Sequence, residues 1–479
     1  MNLKQINNLT ELFFDQFNKQ TNKDKILLST LGDNKKNFTW QDTYDFINLV
    51  SNELRKVISK GDRCLLISEN RPEWFITDLS IMLSDGITVP AYTTYAENDY
   101  NYILNDCTPS IIFVSNIEQF NKLKKIIRDK KFIKKIFSFE KLPNVEIEYI
   151  NLEELIQNNI KKKLPVHKSL ASRKDPSCII YTSGTQGNPK GVILSHGGIL
   201  NNCEGAIDIL KPLLSEEQPR FLTWLPLSHS YEHTVQFVQI TVAARIFYAE
   251  SIDKLVKNMG DCSPEIMTAV PRFYQNLYQK INASFKKATG LKKKLIFKML
   301  ELGLKKIKKE NLTFFEKIQD SILDKLVRKK IKSQFGGSLK TFVSGGGALD
   351  KEVGYFLNAI GLPTLQGYGL TETSPVVSCN PIDDIRIDTV GPPFKGNKVK
   401  IADDGEILVE KRYICGLKVC NEGGNISVGD LICTSSTPGY FMKQADDIIR
   451  SYTAAKCLQQ VTFNGNTEQS GIYCIMMCG

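Results

Sequence analysis

Short apolar runs alternate with amphipathic stretches along most of this chain. From about residue 60, the runs RCLLIS (63–68), ITVPAY (87–92) and SIIFVS (110–115) predict buried strands, because short continuous apolar segments are typical of sheets that are covered on both faces. The stretches between them, RPEWFITDLSIML (71–83) and ENDYNYILND (97–106), have a helical pattern. Strands that alternate with helices predict an α/β architecture with largely parallel sheets.

The pattern resumes further along and changes near the end. Later strands and one helix are predicted at SCIIYT (177–182), GVIL (191–194), TFVS (341–344), a helix from about Asp350, and EILVE (406–410). After residue 410 the chain is rich in Gly, Ser, Thr and Cys, with short β-like runs. We therefore predict two units, a large α/β domain over residues 1–410 and a small β-rich or irregular tail over residues 411–479.

Composition is that of a soluble globular protein. The chain has 479 residues, of which 42% are hydrophobic and 24% charged, and no apolar run approaches the roughly 18–20 residues that span a bilayer. The first residues lack the apolar core of a signal peptide. The twelve cysteines, six of them after residue 410, include no Cys-x-x-Cys pair, which weakens zinc-binding and thioredoxin-like interpretations. We expect a cytoplasmic protein with free thiols.

One segment accounts for the net charge of +10. Residues 286–332 hold sixteen Lys/Arg and five Asp/Glu, with apolar residues at near-helical spacing, among them Leu291, Leu295, Met299, Leu302 and Ile307. A basic amphipathic helix can lie on an anionic membrane, which would put the protein peripherally on its inner face. The favoured alternative is a solvated helix whose apolar stripe packs on its own domain. Nucleic acid is a poor third partner, since no aromatic or Gly-rich residues interleave the lysines.

The strongest chemical signal is the string YTSGTQGNPKG at residues 181–191, between two β-like runs. Glycines let backbone N–H groups converge on one anion, hydroxyl groups add donors, and Lys190 adds a positive charge. The residues that would form this cradle are Thr182, Ser183, Gly184, Thr185, Gly187 and Lys190. Such a loop suits the phosphates of a nucleotide. It lacks the spacing of a Walker A loop, and the alternative is a flexible surface loop.

This string resembles the signature loop of the adenylate-forming superfamily, which includes acyl-CoA synthetases, peptide-synthetase adenylation domains and firefly-luciferase-like enzymes. The resemblance extends over roughly residues 10–410. Six segments resemble the long-chain fatty-acyl-CoA synthetase branch of the superfamily in particular: residues 69–83, 89–106, 224–234 (WLPLSHSYEHT), 344–349 (SGGGAL), 366–378 (QGYGLTETSPVVS) and 389–409. The resemblance implies the large N-terminal domain of that fold, with mixed and parallel sheets and helices.

The resemblance also implies roles for individual residues. The catalytic set would be Lys190, Thr371, Glu372 and His229, with Thr371 at the α-phosphate and Glu372 holding Mg²⁺ beside the polyphosphate. Thr185 is a second candidate for the metal. Nucleotide contacts would come from Gly345, Gly346 and Ala348 near the adenine. They would also come from Gly367, Tyr368 and Gly369, where the aromatic ring of Tyr368 would stack on the base. For each glycine-rich run the alternative is a structural turn.

His229-Ser-Tyr-Glu-His233 also matches the inverted zinc-peptidase motif. That interpretation needs both imidazoles on one helix and a third distant ligand, and nothing in the chain specifies the third. The string resembles instead the family's Leu-Pro-Leu-Ser-His segment, which would put His229 near the carboxylate and the acyl and CoA channels. A purely structural His229 is the alternative.

Several other residues have weaker candidate roles. By analogy with the family, Trp224 and residues 270–273 (VPRF) line the acyl tunnel or form ordinary core. Arg386 and Asp388 lie in a loop similar to one near the nucleotide. His167 and His196 are expected to be structural or exposed.

The implied activity is ATP-dependent conversion of a long-chain fatty acid to an acyl-adenylate and then to acyl-CoA. ATP and Mg²⁺ would be cofactors, CoA a co-substrate, and a homodimer is plausible for the family. The resemblance ends near residue 410, so the family's C-terminal domain with its catalytic lysine is expected to be absent and turnover defective. The tail weakly resembles the C-terminal segment of tailed-phage structural proteins. Alternatives are a fatty acyl-AMP ligase serving a carrier protein, or a non-catalytic binder of ATP or acyl groups.

Overall fold

The computed structural model describes residues 3–33, 35–159, 165–182, 189–214, 217–401, 407–411, 416–420, 425–427, 431–434, 441–444, 453–457 and 469–476. Its helices are α1 (Leu9–Lys19), α2 (Trp40–Leu54), α3 (Pro72–Leu83), α4 (Glu97–Cys107), α5 (Ile117–Leu123), α6 (Leu152–Asn159), α7 (His196–Leu210), α8 (Ser230–Thr241), α9 (Leu255–Cys262), α10 (Pro271–Lys286), α11 (Gly290–Ile307), α12 (Phe314–Leu323), α13 (Lys329–Ser333) and α14 (Lys351–Ala359). A π-helical segment, Asp324–Arg328, joins α12 to α13.

The strands are β1 (Ile26–Thr30), β2 (Asn37–Thr39), β3 (Arg63–Ile67), β4 (Ile87–Ala91), β5 (Ile111–Val114), β6 (Lys135–Ser138), β7 (Ile150–Asn151), β8 (Pro176–Thr182), β9 (Lys190–Ser195), β10 (Arg220–Thr223), β11 (Arg245–Tyr248), β12 (Ile266–Ala269), β13 (Thr341–Ser344), β14 (Thr364–Gly369), β15 (Val376–Cys379), β16 (Asn397–Ile401), β17 (Ile407–Lys411), β18 (Gly416–Cys420), β19 (Leu431–Thr434), β20 (Phe441–Lys443), β21 (Thr453–Cys457) and β22 (Gln469–Met476).

Two large sheets organise the α/β part of the molecule. One has eight strands in the order β15-β14-β13-β12-β10-β11-β1-β2, and the other has seven in the order β7-β6-β5-β3-β4-β8-β9. Their interior pairs are parallel, and antiparallel pairs occur only where β2, β15 and β9 close an edge. The predicted α/β class with mixed and parallel sheets is confirmed.

The predicted strands and helices around residues 60–115 are also confirmed. β3, β4 and β5 are parallel neighbours, and all four residues of β5 are buried. α3 begins at Pro72, whose missing N–H and fixed φ suit a first helical turn. Both faces of this part of the sheet are therefore covered, as the continuous apolar runs indicate.

Two strands fit the sheets differently from the sequence pattern. β9 is antiparallel to β8, because the few residues between them cannot supply the dozen or more that a parallel crossover needs. β17 does not join either large sheet; it pairs with β16 in a separate two-stranded ribbon.

The apolar side of α11 packs on its own domain, as the favoured interpretation predicts. Met299 and Leu302 are fully buried in a core cluster, and a Cβ on Gly303 would lie 2.3 Å from the backbone oxygen of Ala359 in α14. Leu291, in contrast, is exposed. None of the described helices combines the length and apolar character needed to cross a bilayer.

The described part of the tail consists of strands that pair with one another. Their order is β18-β20-β19-β21-β22, and the sheet closes on itself. This agrees with a β-rich tail. The boundary at residue 410 and a separate origin of the tail stay predictions.

Candidate functional site

Four of the sequence motifs follow neighbouring parallel strands of the eight-stranded sheet. Residues 224–229 follow β10, Val270 follows β12, residues 345–349 follow β13, and residues 370–374 follow β14. The carboxyl ends of parallel strands lie at one edge of a sheet, and this edge is where open α/β sheets bind ligands. Motifs up to 150 residues apart in sequence are thereby brought to one edge.

The candidate phosphate loop joins β8 to β9. Ser183, Gly184, Thr185 and Gly187 lie outside the described residues. Thr182 and Lys190 face each other across the last pair of the β8–β9 ladder, so they form the neck of the loop. Tyr181, one residue earlier, is buried and donates its hydroxyl hydrogen to Asp106 Oδ2 at 2.5 Å. The base of the loop is therefore anchored to α4, and Lys190 is exposed beside it.

Helix α7 links this hairpin to the turn that carries Thr371 and Glu372. A Cβ on Gly198 would lie 2.5 Å from Ser374 Oγ, and the Val376 N–H donates to Asn202 Oδ1 at 2.7 Å. Cα atoms of β9 and of the turn Thr371–Thr373 also come within 8 Å of each other. The structure thus brings the strand that begins at Lys190 next to the turn that contains Glu372.

Backbone contacts fix the Thr371–Thr373 turn tightly. Thr373 Oγ1 accepts from the Leu370 N–H at 2.9 Å, and Ser374 adopts a left-handed conformation with φ 63°. Gly369 lies so close to the next strand that a Cβ there would be 2.0 Å from Pro375 O. Thr371 and Glu372 are half-buried, and Glu372 forms no ion pair with any residue that the structure describes.

We expect Gly369→Ala to disrupt this turn. The added methyl would overlap backbone that cannot rotate away, which costs about 1–3 kcal/mol in comparable overpacked sites. Gly347→Ala is the matched control, because its Cβ would meet only the Pro271 ring, at ordinary distances of 3.5 Å to Cγ and 3.9 Å to Cδ. Thermal unfolding of both variants would measure the difference, and equal melting temperatures would contradict the close packing at Gly369.

The first turn of α8 contacts the Thr371 turn and the SGGGAL run. Ser230 Oγ and Thr371 Oγ1 are hydrogen-bonded at 2.9 Å. The Tyr231 ring lies under Gly345, where a Cβ would approach it to 2.9 Å, and its hydroxyl donates to Val343 O at 3.3 Å. Only glycine at residue 345 therefore leaves room for this ring.

The middle of the SGGGAL run, residues 346–348, is exposed next to β14. Gly346 has φ 76°, and Gly346 and Ala348 are exposed. The Leu349 N–H donates to Gln366 Oε1 at 2.6 Å, which ties the run to the residue before Gly367. Tyr368 is half-buried in β14. The adenine contacts predicted at Gly345, Gly346, Ala348, Gly367, Tyr368 and Gly369 are thus close in space.

His229 caps α8 as a neutral imidazole. Its Nδ1 accepts a hydrogen bond from the Tyr231 N–H at 3.2 Å, which requires Nδ1 to be unprotonated. The side chain is accessible to solvent, yet it sits among protein atoms, and the resulting desolvation lowers its pKa below the usual value. None of the residues that the structure describes is hydrogen-bonded to its Nε2.

The structure does not support the zinc interpretation of residues 229–233. His233 is fully buried and its Nε2 lies 2.8 Å from Asp78 Oδ2, whereas His229 is at the surface. Burial by itself would lower the pKa of His233, but the Asp78 carboxylate raises it to about 10. Among the described residues there is no group of three or more His, Cys, Asp or Glu side chains that could hold a metal ion.

Glu232, between these two histidines, makes the stability of the protein depend on pH. Burial raises its pKa from 4.5 to about 8, although Thr268 Oγ1 donates to Glu232 Oε2 at 2.7 Å. Because the pKa is higher in the folded state, folding favours the protonated Glu232 carboxyl group. The contribution of this group to the free energy of unfolding is complete below pH 4.5 and is lost as the pH rises through about 8.

We therefore expect Glu232→Gln to keep the Thr268 hydrogen bond and to flatten the pH dependence. From pH 5 to pH 8.5, the free energy of unfolding of the variant should increase relative to that of the wild type by about a few kcal/mol. Melting temperatures of both proteins at the two pH values would detect the change. Glu97→Gln, at an exposed position, is the control. A wild type and a Glu232→Gln variant with parallel pH profiles would contradict the raised pKa.

An apolar cluster adjoins the same edge. Buried Leu225, Tyr231 and Val235 pack with partly buried Trp224, Val270 and Val376. Trp224 donates its indole N–H to Thr268 O at 2.7 Å, and its ring centroid is 5.5 Å from that of Phe273. An apolar wall therefore flanks His229; the acyl tunnel predicted at Trp224 and residues 270–273 stays a prediction.

The other candidates have structural partners. His196 Nδ1 accepts from the Leu9 N–H at 3.3 Å, and burial lowers its pKa to about 4. His167 Nε2 is 3.2 Å from Asn52 Oδ1. Arg386 pairs with Asp384 at 3.0 Å, and Asp388 with Lys351 at 3.6 Å.

Sequence reasoning missed the residues that hold the motifs together. Asn70 bridges the turn before His229: it donates to Leu225 O at 2.6 Å and accepts from the Leu227 N–H at 3.0 Å. Ser230 and Asn202 connect elements in the same way. Asn70 and Ser230 lie inside strings that resemble the family, but a single sequence gives no signal that separates a linking residue from its neighbours.

Comparison with known proteins agrees with this geometry. The sequence model of the AMP-binding enzyme family matches residues 13–426. The chain belongs to the AMP-binding enzyme family. Long-chain-fatty-acid–CoA ligase FadD15 of Mycobacterium bovis is 27% identical over 356 residues, which are 74% of this chain and 58% of that protein. Fatty acyl-CoA synthetase A of Dictyostelium discoideum is 28% identical over 377 residues, 76% of this chain and 54% of that protein.

Solved structures show the same fold at lower identity. ATP-bound MatB from Rhodopseudomonas palustris superposes with a TM-score of 0.61 at 20% identity, covering 84% of this chain and 70% of that one. The inhibitor-bound N-terminal domain of FACL13 from Mycobacterium tuberculosis gives 0.63 at 16% identity, covering 85% and 89%. The chain thus has the fold of this family and spans 54–58% of the length of the two curated relatives named above.

Proposed function

We propose that this chain carries the site that activates long-chain fatty acids with ATP. The fatty carboxylate oxygen attacks the α-phosphorus, the bond to pyrophosphate breaks, and an acyl-adenylate forms. The thiolate of CoA then attacks the acyl carbon and AMP leaves. Similarity to long-chain-fatty-acid–CoA ligases along three quarters of the chain supports this choice of substrates.

One observation carries the proposal: the Thr371–Thr373 turn and the start of α8 meet at one edge of the eight-stranded sheet, and β9 of the other sheet lies next to that turn. We assign Lys190 and Thr182, with Ser183, Gly184, Thr185 and Gly187, to the polyphosphate. Thr371, which is hydrogen-bonded to Ser230, is assigned to the α-phosphate. His229, the residue before Ser230, is assigned to the carboxylate. Catalysis would rest on positioning and on neutralising developing charge rather than on a protein nucleophile.

The donor set next to Lys190 fits Mg²⁺. Glu372 is a half-buried carboxylate without an ion-pair partner among the described residues, and carboxylate and hydroxyl oxygens are the ligands that Mg²⁺ takes beside phosphates. When bound, the ion would offset the charge of the departing pyrophosphate. The cysteines of the α/β part for which the structure describes the side chain are free thiols, which supports the proposed cytoplasmic location: Cys64, Cys107, Cys178, Cys203, Cys262 and Cys379.

Palmitate-dependent exchange of pyrophosphate into ATP tests the first half-reaction. We expect exchange that requires Mg²⁺ and palmitate. Exchange without CoA thioester formation would favour a fatty acyl-AMP ligase, and Mg·ATP binding without exchange would favour a non-catalytic binder. Absence of any association with Mg·ATP in titration calorimetry of the folded protein would overturn the proposal.

A further inference from the structure

Helix α12 has an apolar face that points away from the domain. Phe314, Ile318 and Ile322 recur four residues apart, Leu326 continues the series, and Phe315 lies beside them. All five side chains are exposed, by 46–76%. With about 3.6 residues per turn, the buried Asp320 and Leu323 fall on the other side of the helix. We call the five exposed residues the α12 face.

Contacts on the opposite side hold α12 in this orientation. Thr313 and Glu316 form a capping box at its start. Lys305 and Lys306 of α11 donate to Glu316 at 2.6 Å and to Asp320 at 2.8 Å, respectively. Buried Arg328 donates to Asp320 Oδ1 at 2.7 Å. The helix is therefore fixed on its charged side, and its apolar side is left toward solvent.

Most charges around the α12 face are positive; the exposed Asp324 lies 3.8 Å from the guanidinium group of Arg328. Lys317, Lys325, Lys329 and Lys330 are exposed, and none forms an ion pair with a described residue. The acidic residues of α12 are already neutralised on the inner side, where Glu316 and Asp320 meet the lysines of α11. An exposed apolar surface surrounded by unpaired lysines is a pattern that matches the acyl and phosphate layers of an anionic bilayer.

We propose that the α12 face is a docking surface for anionic lipid membranes. The five apolar side chains would enter the boundary between headgroups and acyl chains, and the four lysines would contact lipid phosphates. The inference goes beyond the proposed activity and moves membrane contact from the α11 stripe, which is buried in the core, to the next helix. A second copy of the chain fits poorly, because a symmetric contact would set these lysines against each other.

Flotation with phospholipid vesicles tests the proposal on the full chain, without nucleotide or fatty acid, so that the result is independent of catalysis. We expect binding to vesicles in which about a third of the lipid is phosphatidylglycerol, at least tenfold weaker binding to pure phosphatidylcholine, and release at high salt. Equal binding to both vesicle types would exclude the role of the lysines.

Two double variants separate the apolar and the charged contributions. Phe314→Ser with Ile318→Ser should weaken partitioning at least about tenfold on either lipid. Lys325→Gln with Lys329→Gln should reduce the preference for anionic lipid by about tenfold or more. The matched control is Leu170→Ser with Ile252→Ser, which removes two apolar side chains elsewhere that are at least as exposed and should leave binding unchanged.

A second readout does not depend on the loss of binding. In Ile318→Trp the new indole should shift its emission to the blue on addition of anionic vesicles, whereas Ile252→Trp should not. The proposal would be overturned if Phe314→Ser with Ile318→Ser bound vesicles as well as the wild type does, or if the emission wavelength of Ile318→Trp did not change on addition of anionic vesicles. Sedimentation velocity tests the alternative that a second copy covers the face. If the wild type is a dimer and Phe314→Ser with Ile318→Ser dissociates it, the α12 face is a contact between copies instead.

Discussion

Replacing Lys190 by alanine is expected to lower the rate of palmitate-dependent ATP–pyrophosphate exchange about 10²–10³-fold. Lys190 faces Thr182 at the neck of the candidate phosphate loop, and β9 lies next to the turn with Glu372. Its ammonium group would neutralise charge that grows on the polyphosphate as the bond to the α-phosphorus breaks, so the loss should appear in the rate more than in the affinity for fatty acid.

Lys131→Ala is the matched control, since it removes an exposed lysine far from both loops in sequence. The dissociation constant of Mg·ATP should rise in Lys190→Ala and stay the same in the control. An exchange rate that survives in Lys190→Ala would show that the charge at the neck is dispensable and would remove the main support for a phosphate site between β8 and β9.

The largest effect on stability is expected from breaking the buried pair of Asp78 and His233. Both side chains are inaccessible to solvent, and the pair joins α3 to α8 at 2.8 Å. His233→Ala would leave the carboxylate of Asp78 buried without its partner, which typically costs about 3–5 kcal/mol. Chemical denaturation should report this loss in the unfolding midpoint.

His167→Ala provides the comparison, because His167 is only partly buried and has one hydrogen bond, to Asn52 at 3.2 Å. Its replacement should cost no more than about 1 kcal/mol. Equal losses in the two variants would contradict a dominant contribution of the buried ion pair to stability.

The same pair should weaken at alkaline pH. The pKa of His233 is raised from 6.5 to about 10 in the folded protein, so its contribution is complete below pH 6.5 and is lost as the pH rises through about 10. The gap in stability between wild type and His233→Ala should therefore narrow between pH 7 and pH 10. Denaturation curves at several pH values would measure it, and a constant gap would contradict a charged His233.

The secondary structure of the large domain was predictable because its signals are local. Continuous apolar runs give β3, β5 and β13, and Pro72 marks the first turn of α3. The direction of β9 and the separation of β16 and β17 from the large sheets were not predicted, since pairing depends on partners and loop length rather than on the pattern within a strand.

The same division applies to residues 286–332. Their sequence indicates a basic amphipathic helix, and the structure divides the segment into several helices, of which α11 and α12 each have an apolar stripe. Which stripe is buried depends on shape: α11 fits against α14 because Gly303 allows backbone contact with Ala359. The exposed stripe of α12 became recognisable only after the other side of that helix was seen to be paired.

By itself the sequence determined the α/β class, the order of the motifs and the family that they resemble, because these depend on residue types at short spacing. Only the tertiary structure decided which motifs meet. Parallel strand order brings residues 224–229, 345–349 and 370–374 to one sheet edge, and α7 and β9, the strand that begins at Lys190, lie against the last of these segments. It also decided that His233 faces Asp78 rather than a metal, because a side chain's partner is set by the packing of distant elements.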